Sequence, residues 1–105
     1  MFTYNARIRR VVDADTLDLQ IDLGFYVQFN ARIRVKGVDA PEMKTPEGKA
    51  ATLWAMTFLG GMPYVVVRTE LDRTFERFVG AIELPDGRDY GDVLVESGHA
   101  VRIKA

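Results

Sequence analysis

The sequence predicts an α+β fold, mainly β, in which five strands close into a barrel and two helices pack against it. Several segments alternate apolar and polar residues, as strands with one buried face do, and short polar turns join them. One helical segment lies in the middle of the chain and a second lies near its end. The length of 105 residues, 48% of them hydrophobic, suits a single domain spanning residues 1–105.

The first three strands are predicted to form an antiparallel meander. Residues 2–12 alternate, and residues 13–16 form a turn of side chains that readily hydrogen-bond their own backbone. Residues 17–22 are predicted as a half-buried second strand, and Gly24 marks the next turn. Residues 25–38 are predicted as a third strand, which is long enough to curve around a barrel.

The first helix has clear start and stop signals. Thr45 is a natural N-cap, Pro46 and Glu47 suit the first turn, and Gly60-Gly61 ends the helix. Helical spacing predicts that its buried face is formed by Ala50, Leu53, Trp54, Met56, Thr57 and Phe58. We expect Trp54 and Phe58 to pack in the core rather than to stack on nucleotide bases.

The remaining elements complete the barrel. Strands are predicted at residues 64–67 and 78–84, with a polar connection between them and a short helix over residues 90–97. The order β-β-β-α-β-β-α is typical of the OB-type barrel, an architecture that commonly binds oligonucleotides.

Composition argues against several classes of protein. The net charge is −1, so no global positive field indicates a nucleic-acid binder. The absence of cysteine rules out disulfides and thiolate metal sites, and His99, the single histidine, follows a helix-ending glycine and is expected to be structural. No apolar run could span a membrane, and no obligate protein partner is indicated. Residues 1–7 lack the apolar core of a signal peptide, so the chain is expected to be cytoplasmic or already processed.

Residues 34–42 combine three charged groups with different chemical uses. Arg34 suits phosphate oxygens, Asp39 is a candidate ligand for a hard cation, and Glu42 is a candidate general base. Pro41 biases Ala40 towards an extended backbone. Taken singly, each residue is better explained by an ordinary connection between a strand and a helix, whose acids cap that helix; the functional interpretation depends on the combination.

Four segments resemble, in the same order, motifs of the thermonuclease (staphylococcal-nuclease-like) family. Residues 11–16 resemble its V-x-D-G-D-T turn, and residues 34–42 resemble its R-x-x-x-[VI]-D-x-P-E segment. Asp72-Arg73 followed by Arg77 resembles its D-[KR]-Y-G-R loop, and residues 94–100 resemble its L-V-x-x-G-x-A helix end. The resemblance implies an OB-type barrel that hydrolyses phosphodiesters of DNA or RNA in a calcium-dependent reaction.

The resemblance also implies a role for each matching residue. Asp15 and Asp39 would bind Ca²⁺ together with the Ala40 carbonyl, and Asp13 would act on the ion through water. The scissile phosphate would be bound by Arg34 and Arg77, and Glu42 would orient or deprotonate the attacking water.

The sequence departs from the family pattern at several points. Ala14 stands where glycine is usual, and the loop before Arg77 lacks the Tyr-Gly pair, so Arg73 or Phe75 becomes a candidate for a nucleotide contact. The third helix of larger members is expected to be absent. Two alternatives stay open: a catalytically silent OB-type module that binds nucleic acid or protein, and a fragment whose barrel is completed by a partner chain. Arg7, Arg9 and Arg10 lie in the first predicted strand (β1, predicted over residues 2–12) and are together called the β1 arginines. They could follow a nucleic-acid backbone or form a solvated strand face.

Overall fold

The computed structural model of the protein describes residues 2–69 and 78–103. The elements are β1 (Phe2–Asp13), β2 (Thr16–Gly24), β3 (Val27–Val35), β4 (Val38–Asp39), α1 (Pro46–Leu59), β5 (Val65–Thr69), β6 (Phe78–Glu83), α2 (Tyr90–Glu96) and β7 (Val101–Arg102). Five strands form a closed barrel in the order β1-β2-β3-β6-β5. The predicted mainly β, α+β fold with a five-stranded OB-type barrel and two helices is therefore confirmed.

The barrel closes through two long-range pairings. The meander β1-β2-β3 is antiparallel, and β1 also pairs antiparallel with β5. The last contact joins β3 to β6 in parallel, with Ile33 opposite Phe78 and Arg34 opposite Val79. The inward-facing side chains of all five strands form the core, which includes Leu17, Leu19, Ile33, Val67 and Ile82. Among the described residues, no helix is long and apolar enough to cross a membrane.

The third strand is shorter than the sequence predicted. It begins at Val27 because Phe25 and Tyr26 form the hairpin turn, with φ of 53° and 64°. Both aromatic side chains are fully exposed, and positive φ is unfavourable for bulky residues. The strand ends at Val35, and Gly37, with φ of 79°, reverses the chain direction. Alternation alone did not show these two turns.

A two-stranded sheet outside the barrel was not predicted. Val38 and Asp39 form β4 and pair with Arg102 and Val101 of β7. The Ile103 backbone N–H donates to the Gly37 carbonyl at 3.0 Å, which extends the contact into the turn. The segment that carries Asp39 is therefore held in place by a strand from the far end of the described chain.

The first helix begins as predicted but buries a different face. The Thr45 side chain accepts a hydrogen bond from the Gly48 N–H, and Gly60 is the C-cap. The predicted apolar face is buried only in part: Leu53 and Met56 are 61% and 44% exposed, whereas Trp54 and Phe58 pack partly against the core. The buried residues are instead mostly small: Gly48, Ala51, Thr52, Ala55 and Leu59. Small side chains let the helix backbone approach its neighbours closely.

Trp54 and Phe58 lie at the edge of the core. They stack on each other with ring centroids 4.9 Å apart, and both are partly buried against the core. His99 contacts the Trp54 ring at a centroid distance of 5.0 Å. These contacts agree with the structural roles expected for all three residues.

Candidate active site

Three separate segments bring their charged groups together at one end of the meander. Arg34 Nη2 lies 3.1 Å from Asp39 Oδ1 and 3.8 Å from Asp15 Oδ2. The Ala40 backbone N–H donates to Asp15 Oδ2 at 2.9 Å. The turn after β1, the end of β3 and the end of β4 thus meet around one guanidinium. These four residues, Asp15, Arg34, Asp39 and Ala40, are called the Arg34 cluster below.

The two aspartates of the Arg34 cluster differ in their surroundings. Asp15 is 3% exposed, and its Oδ1 also accepts a hydrogen bond from the Thr16 hydroxyl at 3.0 Å. A buried carboxylate needs such partners, because an unsolvated charge is costly. The Asp39 side chain is 57% exposed. The cluster therefore has one fixed acid at its base and one acid that faces solvent.

The backbone around Asp15 is attached to both neighbouring elements. The Val35 N–H donates to the Asp15 carbonyl at 2.8 Å, which ties the turn to the end of β3. The Tyr90 hydroxyl, at the start of α2, donates to the Ala14 carbonyl at 2.6 Å in a buried contact. Ala14 has no positive φ, so the turn forms without the glycine that the family pattern has there. Tyr90 was not predicted to contribute, because nothing local in the sequence links it to residue 14.

Two further acids lie outside the Arg34 cluster: Asp13 is the last residue of β1, and Glu42 lies on the connection from β4 to α1. Asp13 Oδ1 accepts a hydrogen bond from the Met43 N–H at 3.0 Å, so it fixes the backbone next to Glu42. The Glu42 side chain is 71% exposed and forms an ion pair with Lys44 at 3.1 Å. Asp13 thereby has a structural role of its own, because it holds the segment on which Glu42 lies.

The Glu42 backbone packs tightly against the start of α1. Its carbonyl accepts hydrogen bonds from the Thr45 N–H at 3.0 Å and from the Thr45 hydroxyl at 2.8 Å. A Cβ added to Gly48 would lie 1.6 Å from the Glu42 carbonyl oxygen. Only glycine therefore fits at position 48 while the Glu42 backbone stays where it is.

The predicted contributions of Arg73, Phe75 and Arg77 lie outside the described residues. Phe78, the residue after Arg77 in the sequence, is opposite Ile33 on β3. The second described segment thus begins directly beside β3, the strand that carries Arg34.

The acids of the site do not form a complete protein cage for a metal ion. Within residues 2–69 and 78–103, no group of three or more histidine or acidic residues is arranged to hold an ion. Asp15 and Asp39 nevertheless approach the same guanidinium nitrogen, and both offer the oxygen donors that Ca²⁺ prefers. Two carboxylates fit a partial shell, whose remaining positions a carbonyl and water would have to fill.

Replacing Tyr90 with phenylalanine is expected to destabilise the protein. The change leaves the buried Ala14 carbonyl without its donor, which typically costs about 1–3 kcal/mol of unfolding free energy. Urea denaturation of the wild type and Y90F measures this difference. Tyr26→Phe is the matched control, because the Tyr26 side chain is fully exposed. Equal losses in both variants would contradict a structural role for the Tyr90 hydroxyl.

The same tyrosine is expected to make stability sensitive to alkali. Burial, together with the negative charge of Asp15, raises the pKa of the Tyr90 phenol well above its usual value. The phenol therefore ionises in the unfolded chain at about pH 10 but stays neutral in the folded chain. Stability should hold below that pH and fall as the pH rises further. The loss of stability above about pH 10 should be smaller in Y90F than in the wild type. Identical stability profiles in the two proteins would show that ionisation of Tyr90 does not cause the loss.

Comparison with known proteins agrees with the motifs. No family model matches the chain. Over 96 residues it is 29% identical to a protein named uncharacterized endonuclease from Escherichia coli O157:H7, in an alignment that covers 91% of this chain and 59% of that protein. Over 73 residues it is 34% identical to the probable staphylococcal-like nuclease CAN2 of Oryza sativa subsp. japonica, covering 70% of this chain and 19% of that protein. The chain is related to the staphylococcal-like nucleases.

The resemblance seen in the four motifs is thereby confirmed. A second rice protein, the probable staphylococcal-like nuclease CAN3, is 33% identical over 73 residues. The chain spans 59% of the length of the bacterial relative and 19% of the length of each rice relative. The similarity thus concerns only part of each of these longer proteins.

Proposed function

We propose that the chain is a calcium-dependent nuclease that hydrolyses phosphodiester bonds in DNA or RNA. The observation that supports this most directly is the Arg34 cluster, in which a buried and an exposed aspartate converge on one guanidinium. A domain that only binds nucleic acid needs basic and aromatic surfaces, and has no need of clustered carboxylates. The relatives named as nucleases support the same activity.

Arg34 would bind the phosphate of the bond that is cut. Nη2 makes both contacts to the aspartates, and a guanidinium carries five N–H donors in all, so others remain for phosphate oxygens. As water adds to phosphorus, negative charge grows on those oxygens, and a fixed cation stabilises that charge most strongly in the transition state. Arg77 is proposed as the second arginine at the phosphate.

Glu42 would accept the proton that the attacking water loses. The water oxygen forms a bond to phosphorus, the bond from phosphorus to the leaving ester oxygen breaks, and that oxygen takes up a proton from solvent. The exposed position of Glu42, three residues after Asp39, leaves its carboxylate accessible to water. Asp13, Thr45 and Gly48 hold the backbone on either side of it.

Ca²⁺ would be held by the carboxylates of Asp15 and Asp39 and by the Ala40 carbonyl, with Asp13 acting through water. When bound, it would supply further positive charge against the charge that develops on the phosphate. The donor set consists of hard oxygens, which suits this ion.

A metal panel tests the proposal. We expect purified wild-type protein to cleave single-stranded DNA in Ca²⁺, to lose activity in a chelator, and to regain it when Ca²⁺ is restored. Asp39→Asn should abolish most activity and should weaken the rise in thermal stability that added Ca²⁺ causes. Asp86→Asn is the matched control. Asp86 is an exposed acid that does not belong to the Arg34 cluster, and its carboxylate lies 2.7 Å from Arg88.

Two outcomes would contradict the proposal. Cleavage that continues unchanged in chelator would exclude a role for the metal. Binding of DNA without cleavage in any metal, unaffected by Glu42→Ala, would favour the catalytically silent binding module.

A further inference from the structure

An arginine-rich depression lies on the outer face of the meander, beside the candidate active site. It has a volume of about 480 Å³, and its polar lining is formed by Arg9, Arg10, Asp18, Asn30 and Arg32. None of these residues belongs to the Arg34 cluster. The depression is therefore a separate surface that the proposed chemistry does not use.

The strand register places these side chains in rows that lead away from Arg34. Arg10 is directly opposite Asp18, and Asp18 is directly opposite Arg32. Arg32 and Arg34 are two residues apart on β3 and share a face, so their Cα atoms are separated by about 7 Å. Arg7 lies opposite Gln20 in the following row. A path of arginines thus runs from the candidate site across the three strands.

A β-bulge adds one arginine, Arg10, to this face. Ile8 pairs with Leu19, but Arg10 pairs with Asp18, so Arg9 is an extra residue in β1. Without the bulge, regular alternation would turn Arg10 towards the barrel interior. With it, both Arg9 and Arg10 are exposed and adjacent.

The β1 arginines also form no ion pair with an acid in the part of the chain that the structure describes. The structure describes eight arginines, and five of them form ion pairs: Arg32, Arg34, Arg68, Arg88 and Arg102. The other three are the β1 arginines, which form no ion pair within residues 2–69 and 78–103. A hydrogen bond from Arg32 and, to a smaller extent, the positive charges of Arg10 and Arg9 lower the pKa of Asp18 below its usual value. This face therefore carries positive charge that the described acids do not neutralise.

We propose that this face binds the phosphate backbone of single-stranded DNA, on the same strand whose scissile phosphate lies at Arg34. This inference rests on the proposed nuclease function and adds to it an extended substrate site. Unpaired guanidiniums favour a polyanion, and contacts to phosphate are independent of base sequence. The path begins next to Arg34, so one extended strand contacts the cluster and the β1 arginines together.

The test compares two double variants that each remove two arginines. R9Q/R10Q changes the proposed face, and R68Q/R88Q is the matched control on β5 and the turn after β6. Binding of a labelled single strand of about 12 nucleotides, within the site sizes known for OB-type barrels, is measured by anisotropy over a range of salt concentrations. We expect R9Q/R10Q to bind more weakly than the wild type, and R68Q/R88Q to bind as the wild type does. The salt slope, which is the slope of log K against log salt concentration, should be shallower by about 1.4 in R9Q/R10Q.

Cleavage supplies a second readout. The ratio of kcat/KM on this oligonucleotide to kcat/KM on a dinucleotide should fall in R9Q/R10Q and stay at the wild-type value in R68Q/R88Q. Binding is measured independently of cleavage. If the wild type cleaves nothing, the proposed nuclease function is refuted, but the anisotropy measurement still shows whether this face binds DNA. Equal affinity and equal salt slope in both double variants overturn the proposal. The same anisotropy measurement on an RNA of the same sequence is a second check: if R9Q/R10Q loses affinity for the RNA but not for the DNA, the proposal is also overturned. If R9Q/R10Q fails to fold, Arg7→Gln is measured in the same way.

Discussion

Replacing Arg34 with glutamine is expected to lower kcat/KM on single-stranded DNA by about 10²–10³, the usual effect of removing one donor that stabilises transition-state charge. Arg34 is the residue that both aspartates approach, at 3.1 and 3.8 Å. Arg34→Lys should recover little of this activity, because an ammonium group keeps the charge but lacks the planar pair of donors that matches phosphate. Steady-state kinetics in Ca²⁺ measures both variants.

Arg68→Gln is the control for the Arg34 variants. Arg68 also lies on a barrel strand, and among the described residues it pairs with Glu83 at 3.1 Å, the distance that separates Arg34 from Asp39. Losing this exposed ion pair should leave kcat/KM near the wild-type value. Comparable losses in R34Q and R68Q would show that the effect comes from general charge or stability, and the proposed role of Arg34 would be wrong.

Gly48→Ala is expected both to destabilise the protein and to lower its activity. Alanine normally stabilises an exposed helix position relative to glycine by up to about 1 kcal/mol. Here the new Cβ would lie 1.6 Å from the Glu42 carbonyl oxygen and 2.3 Å from its carbonyl carbon, so the backbone that carries Glu42 must move. Overpacking of this kind typically costs about 1–3 kcal/mol, and displacing a catalytic group by about 1 Å can reduce the rate 10²-fold.

The Gly48 prediction has a control and a specific readout. Lys49→Ala changes the next, exposed residue of α1 and should alter neither stability nor activity appreciably. If G48A acts by moving Glu42, its effect on kcat should be largely absent in an Glu42→Ala background, since two changes that remove one function are not additive. Wild-type activity in G48A would contradict the requirement for glycine.

Local patterns in the sequence predicted most of the fold. Thr45 caps α1 as expected, and the strands begin and end close to the alternating segments. The errors arose where tertiary contacts decide. The buried face of α1 is selected by how closely the helix approaches the barrel, and β7 exists because it pairs with β4. Neither relation leaves a periodic signal in the sequence.

The candidate site was predictable from sequence in part. The motifs indicated Asp15, Arg34 and Asp39, and the structure brings these three together with the Ala40 N–H. The residues that support them were not foreseen. Tyr90 reaches Ala14 across most of the chain, and the need for glycine at position 48 depends on a contact with the Glu42 backbone. Such long-range contacts follow from packing and cannot be read from spacing.

The pairing of β7 with β4 has a consequence for protein synthesis. Asp39 is made well before the strand beside it, β7, which is the last of the described strands in chain order. A nascent chain therefore contains Asp15 and Asp39 about 60 residues or more before the strand that pairs with β4 is made. We expect that Asp39 reaches its final backbone position only after the segment around Val101 has left the ribosome and can pair with β4.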